Sequence, residues 1–338
     1  MTLSLEAVTR SVADEIHVDH VSLTFIRGSL NVLLGPTLSG KTSLMRIMAG
    51  LDMPDRGQIK FDGKDTTELP VGKRNIAMVY QQFINYPTLS VYENIASPLR
   101  VAGIKREEID RRVKEAAQLL RLTSMLDRTP LQLSGGQQQR TAIARALVKR
   151  ADLVLMDEPL ANLDFKLREE LREELPRIFS SSGAIFVYAT TEPSEALLLG
   201  GNTATLWQGR VTQFGPTPTV YRRPKDLITA QVFSDPPLNL LSGIKQNDQL
   251  VLNGAETLQL FDDLTSLPDG PTTLAFRAHH MSLHLSGSAS LTLQVVVGGS
   301  EISGSESFVH VAIDHIFAFD AAGLLLRTPK MEFKEALA

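Results

Sequence analysis

Up to about Thr190 the chain alternates short β-branched and aliphatic runs with stretches of helical periodicity. Residues 30–34 (LNVLL), 153–156 (LVLM) and 184–188 (AIFVY) are apolar at nearly every position, and helical patterns follow the first two from Lys41 and Phe165. Apolar strands interleaved with helices predict a largely parallel sheet covered on both faces. Past about Pro236 the pattern changes. Short strand-like pieces at 291–297 and 308–313 are punctuated by Gly-Gly, Asp-Gly and Ser-Gly pairs, which predicts a small β-barrel or sandwich. The expected boundary lies within 215–241, where Pro216, Pro218, Pro224, Pro236 and Pro237 cluster, and is placed at 235/236.

Composition sharpens this picture by exclusion. A chain of 338 residues has room for about two domains. Its 34 Lys and Arg against 38 Asp and Glu give a net charge of −4, so no broad cationic surface tracks a phosphate backbone, and nucleic acid is not expected as a partner. With no cysteine there are no disulfides, thiolate nucleophiles or Cys-ligated metals. No run approaches the ~20 apolar residues of a membrane-spanning helix, and the first residues lack the basic and apolar regions of a signal peptide. Work at a membrane would require a partner that spans it.

Three segments carry chemistry. Gly35-Pro36-Thr37-Leu38-Ser39-Gly40-Lys41-Thr42, with Ser43 after it, fits G-x-x-x-x-G-K-[ST] between a predicted strand and a predicted helix. Glycines there let successive N–H groups face phosphates, Lys41 adds a point charge, and the Thr42 hydroxyl is a ligand for Mg²⁺. Asp157 and Glu158 end the apolar run at 153–156, one suited to the metal shell and the other to an attacking water. Ser134-Gly135-Gly136-Gln137 opens a helix and makes a second anion-accepting surface.

Together these motifs resemble the ATP-binding subunit of an ABC transporter. The resemblance implies an α/β P-loop NTPase domain over 1–235, with a helical subdomain at about 84–140, then an all-β, OB-like regulatory domain over 236–338. It implies ATP and Mg²⁺ as cofactors and a head-to-tail ATPase dimer. There, Ser134, Gly135, Gly136 and Gln137 complete the site of the facing chain. By the same resemblance Gln81 is the Q-loop glutamine, a Mg²⁺ and water contact, with Gln82 a one-position alternative. Asp164, in Leu160-Ala161-Asn162-Leu163-Asp164, matches the D-loop. Phe83, Ile84, Tyr86 and Pro87 begin the subdomain that receives a coupling helix. Two permease subunits and an extracytoplasmic solute-binding protein are the implied partners, and the cytoplasmic face of the membrane is the implied location.

Two positions depart from the family pattern. Thr191 occupies the place of the switch histidine, and a hydroxyl there donates one hydrogen bond but carries no charge near neutral pH. The aromatic expected near Val12 to stack on adenine is absent. These losses point to a second, non-identical ATPase subunit; a homodimer in which Gln81 or Thr191 positions water is the rival, and a slow regulatory ATP-binding protein acting through the β domain is the alternative function. Residues 209–224, 236–239, 274–280 and 297–301 resemble the hinge and regulatory domain of carbohydrate and polyol importer ATPases. The Thr-Leu-Ser loop filling and Ala-Thr-Thr-Glu-Pro look like those of glycerol importers. His279 and His280 are expected on opposite faces of a strand. Arg168, Glu169, Arg172 and their acidic neighbours are expected on solvated helix faces.

Overall fold

The computed structural model describes residues 2–82, 84–161, 168, 169, 171, 172, 175, 176, 179, 183–252, 256–282, 290–297 and 305–329. Asp164 and Phe83 lie outside the described residues, as do 298–301. The chain divides into two compact units, Met1–Thr217 and Pro218–Ala338.

In the first unit, β1 (Thr2–Val12), β2 (Glu15–Ile26), β4 (Arg56–Phe61) and β5 (Lys64–Asp65) form an antiparallel sheet in the order β2-β1-β4-β5. A second sheet runs β10-β9-β3-β8-β7-β6, from β3 (Leu30–Leu34), β6 (Ile76–Val79), β7 (Leu153–Asp157), β8 (Ile185–Thr190), β9 (Asn202–Trp207) and β10 (Arg210–Pro216). Its members are parallel except for the edge strand β10. Every residue of β7 and β8 is buried, which explains why their sequence shows no alternation. In register, Leu34 pairs with Thr190 and Asp157 with Ala189. The carboxyl ends of β3, β7 and β8 therefore share one edge, where ligands of open parallel sheets bind.

Helix α1 (Lys41–Ala49) starts after Gly40 at φ 98° and stops at Gly50 at φ 72°, both left-handed positions that favour glycine. Its Leu44, Met45, Ile47 and Met48 pack with Phe25, Leu33, Leu155 and Val187 in the core. Between β6 and β7 lie α2 (Val91–Val101), α3 (Arg106–Leu119) and α4 (Gly135–Val148). Ser90 caps α2, accepting from the Glu93 amide, and buried Asn94 bonds Tyr86, Leu89 and Ser90 backbone groups. Residues 84–86 are thus tied to this helical layer. No described helix is long and apolar enough to cross a membrane.

The second unit is built on antiparallel strands. One sheet runs β13-β12-β11-β14-β18-β19, through β11 (Asn239–Gln246), β12 (Gln249–Leu252), β13 (Thr257–Gln259), β14 (Gly270–Phe276), β18 (Phe317–Phe319) and β19 (Leu325–Arg327). A smaller one joins β15 (Met281–Ser282), β17 (Ser305–Ala312) and β16 (Ser290–Val297). Leu250, Leu274 and Phe276 of the first meet Leu291 and Val311 of the second in one core. Ala230, on the helix Leu227–Val232, shares a cluster with Leu238, Ala275, Phe317 and Phe319. The expected 235/236 boundary therefore falls inside this unit, because burying Ala230 binds the preceding helix to the sheet.

His279 and His280 lie in a 3-10 turn, Ala278–His280, not on a strand. Their rings meet at 4.2 Å, and His280 stacks on His315 at 4.1 Å. Arg172 also departs from expectation: only 8% of it is exposed, because it pairs with carboxylates distant in sequence.

Candidate active site

The segment after β3 curls tightly. A Cβ added at Gly35 would lie 2.5 Å from the Leu206 carbonyl oxygen, and one at Gly40 would lie 2.3 Å from that of His17. Only glycine fits either position. Leu38 takes φ 66° and is 95% exposed at the tip, between exposed Thr37 and buried Ser39. The Ser39 hydroxyl is buried beside Gly35 and has no hydrogen-bond partner among the described residues. Lys41 is buried, and its ammonium donates to the Gly35 and Pro36 carbonyls at 2.7 and 2.9 Å. Burial holds its pKa below the usual lysine value, against the pull of Glu158 and Asp157.

The acidic pair arrives on β7. Asp157 Oδ2 accepts from the Thr42 hydroxyl at 2.8 Å, which joins the phosphate loop to the neighbouring strand end. Glu158 takes φ 45°, and its amide donates to the Ala189 carbonyl at 3.0 Å. That turn sends its side chain a different way: Oε1 lies 4.0 Å from the Lys41 ammonium, and Oε2 accepts from Gln81 Nε2 at 3.0 Å. Between Gln81 and Gln82, the contact to Glu158 belongs to Gln81. Burial raises the pKa of both carboxyls; for Asp157 the Thr42 bond and Lys41 oppose it, and for Glu158 Lys41 opposes it while Asp157 and Glu195 add to it.

Five side chains, Lys41, Thr42, Gln81, Asp157 and Glu158, thus converge at the ends of β3, β6 and β7. Thr191 follows β8 at the same edge and is exposed. Ser134 caps α4: its hydroxyl accepts from the Gln137 amide at 3.4 Å, and Gln137 Oε1 accepts from the Ser134 amide at 3.0 Å. Ser134 and Gly135 are exposed, and among the described residues no hydrogen bond or ion pair joins 134–137 to the five. Buried Gln139 of the same helix donates to the Pro159 carbonyl, fixing α4 to the turn after Glu158.

Three features of the structure have no local signal in the sequence. His17 Nδ1 lies 3.1 Å from Ser43 Oγ, and nothing local in the sequence pairs them. Arg172 and Glu195 meet in a buried ion pair. The third is His315, which joins His279 and His280.

The oxygen donors fit a magnesium ion. The Thr42 hydroxyl and the Asp157 carboxylate are hard ligands already in contact, and such a site relies on one or two protein oxygens plus substrate phosphates.

Residues 18–161 match the family model of the ABC transporter. The chain is 46% identical over 228 residues to the spermidine/putrescine import ATP-binding protein PotA of Pseudomonas aeruginosa, covering 68% of this chain and 63% of that protein. It therefore spans less than two thirds of that relative's length. It is 41% identical to the trehalose/maltose import ATP-binding protein MalK of Thermococcus litoralis, covering 73% and 68%. To the sn-glycerol-3-phosphate import ATP-binding protein UgpC of Escherichia coli it is 36% identical over 311 residues, covering 91% and 87%. Among solved structures, the dimeric ATP-binding cassette MJ0796 bound to ADP and Pi superposes with a TM-score of 0.58 at 30% identity, covering 64% of this chain and 98% of that one. With relatives of this identity covering so much of both chains, and the phosphate loop and paired carboxyls in place, the chain belongs to the ABC transporter ATPase family.

Proposed function

We propose that this chain binds and hydrolyses ATP to energise an ABC importer at the cytoplasmic face of the membrane. The observation that carries this is the convergence of Lys41, Thr42, Gln81, Asp157 and Glu158 on one sheet edge. The loop amides and Lys41 hold the phosphates. Thr42 and Asp157, with Gln81, would ligate Mg²⁺, which when bound compensates phosphate charge. Glu158, raised in pKa by burial and set by Gln81, orients water and accepts its proton as the new P–O bond forms and the bond to the ADP oxygen breaks. Because phosphoryl transfer asks mainly for positioning and charge compensation, this set suffices without a covalent intermediate.

The wider assignment follows the relatives. Two permeases receive the helical layer near residues 84–87, and a solute-binding protein delivers cargo to them. Ser134, Gly135, Gly136, Gln137 and Asp164 serve a facing ATPase subunit. Thr191, with no charge at the switch position, favours a non-identical partner. A carbohydrate or polyol, glycerol or its phosphate among them, is the proposed cargo; support comes from the UgpC and MalK relatives, the former aligned over 91% of this chain. The second unit, an OB-like regulatory domain in this scheme, carries control of the importer.

Steady-state hydrolysis of Mg-ATP by the purified chain, alone and with its permeases in proteoliposomes, tests the proposal. Stimulation by solute-loaded transporter is the expected result. Absence of both nucleotide binding and hydrolysis sinks it.

A further inference from the structure

Beside Thr191 lies a set of buried charges that the roles above leave unused. Glu195, on the helix Pro193–Leu199, is 4% exposed, and a buried carboxylate is costly unless paired and hydrogen-bonded. Here it is both. One oxygen accepts from the Arg172 guanidinium at 3.1 Å; the other accepts from the Tyr188 hydroxyl at 3.0 Å and the Thr190 hydroxyl at 2.6 Å. Burial, reinforced by Glu195, keeps Tyr188 protonated and so a donor.

Thr190 has a second bond. Its Oγ1 accepts the backbone N–H of Glu192 at 3.0 Å, so a single hydroxyl bridges the residues on either side of Thr191. Glu192 is gripped by Arg172 at 2.5 Å and by Arg168 at 3.2 Å. Arg168 also donates to the Ala161 carbonyl at 3.3 Å, and the Ala161 amide to the Glu158 carbonyl at 3.3 Å. A continuous chain of bonds therefore runs from the turn after β8 to the turn after β7, where Glu158 sits.

We propose that Glu195, held by Arg172, is a positioning residue of the hydrolytic site: it fixes the Thr190–Thr191–Glu192 turn and, through the bonds of Glu192, Arg168 and Ala161, the turn that carries Glu158. This deepens the ATPase reading and rests on it. A threonine at 191 brings no charge with which to anchor its own turn, so its neighbours must supply the anchorage. The charged groups around this cluster are Arg168, Glu169, Arg172 and Glu192, with the Tyr188 hydroxyl as a further donor.

Variants at Glu195 and Thr190 test the anchorage, with fluorescent-nucleotide titration and thermal melting as controls on the full chain. Glu195→Gln is expected to keep nucleotide affinity within ~2-fold, since Lys41 and its loop are untouched, and to lower kcat ~10- to 100-fold, the cost of sub-ångström to ångström misplacement. Glu195→Asp, which keeps the charge but shortens the reach to the Thr190 hydroxyl, recovers only part of that loss. Thr190→Ala cuts the bridge while leaving the ion pair intact, so kcat falls with KM little changed, and Thr190→Ser, which keeps the hydroxyl, restores it. The Thr190 pair carries the test even where Glu195→Gln fails to fold. Wild-type kcat in Thr190→Ala or in a folded Glu195→Gln, or no rescue by Thr190→Ser, overturns the anchorage. A wild-type chain that neither binds nor hydrolyses ATP overturns the ATPase reading and this proposal together.

Discussion

Both units bury cations against carboxylates, Arg172 with Glu195 in the first and Lys245 with Asp269 and Arg327 with Asp263 in the second, but the second also buries a cation and imidazoles that have no described acidic partner. In the first, Lys41, Asp157, Glu158, Arg172 and Glu195 all have an oppositely charged or hydrogen-bonded partner at the edge of the parallel sheet. In the second, Arg277 is 3% exposed, and its described contacts are the Tyr221 carbonyl at 3.0 Å and the faces of Tyr221 and Phe317. Among the described residues its Nε and Nη1 have no hydrogen-bond partner, and neither do the two ring nitrogens of His280 or Nδ1 of His315. Burial lowers the Arg277 pKa to about 10 and, with His315, His279 and Arg277 as neighbours, that of His280 to about 3. Paired charges can be spent on chemistry. Unpaired imidazoles must stay neutral to stay folded.

The largest effects are expected at the charged site of the first unit. Glu158→Gln should lower hydrolysis by about 10²- to 10⁴-fold, the usual worth of a general base, with nucleotide affinity retained; single-turnover kinetics check it, and an undiminished rate would move the base elsewhere. Lys41→Ala should weaken Mg-ATP binding by about 10- to 100-fold, the scale of a hydrogen bond to a charged group, measured by titration calorimetry.

Stability gives the next contrast. Arg172→Met strands Glu195 in the core and should cost ~3–5 kcal/mol in the first unit's unfolding transition. Arg277→Met removes a cation that has no described acidic partner, and loses only one carbonyl bond and its ring contacts, so the second unit should lose less than half as much. Equal losses in urea melts would show that pairing does not set the difference.

The smallest effect concerns pH. His280 binds a proton at about pH 6.5 when unfolded but only near 3 when folded, so between those values the unfolded state holds more protons and stability falls as pH falls. Its contribution is fully present above ~6.5 and is lost progressively toward 3. The second unit should therefore melt earlier at pH 4.5 than at 7.5, and His280→Phe should flatten that slope. An unchanged slope in the variant would assign the acid sensitivity to other groups.

The phosphate loop and the Asp157–Glu158 pair were legible because each is local: one turn and one strand end, with side chains a few residues apart. The helix pattern from Lys41 and the apolar runs of β3, β7 and β8 were legible for the same reason, since burial on both faces demands apolar residues throughout. Arg172 misled because Arg and Glu at helical spacing look the same whether they meet water or a distant carboxylate. Its partners Glu192 and Glu195 come from beyond the next strand. The histidines misled similarly: a 3-10 turn brings adjacent rings together where a strand would separate them, and His315 arrives from another turn.

By itself, the sequence determined which backbone turns had to be glycine, where the apolar strands ran, and which acids and hydroxyl could meet a phosphate. Tertiary structure alone decided that Gln81 rather than Gln82 meets Glu158, that Glu195 lies buried beside Thr191, and that Ala230 belongs to the second core. The physical reason is the range of the interactions. Backbone conformation and strand burial are imposed residue by residue, whereas the pairing of buried charges depends on chain segments that only the completed sheet brings within reach.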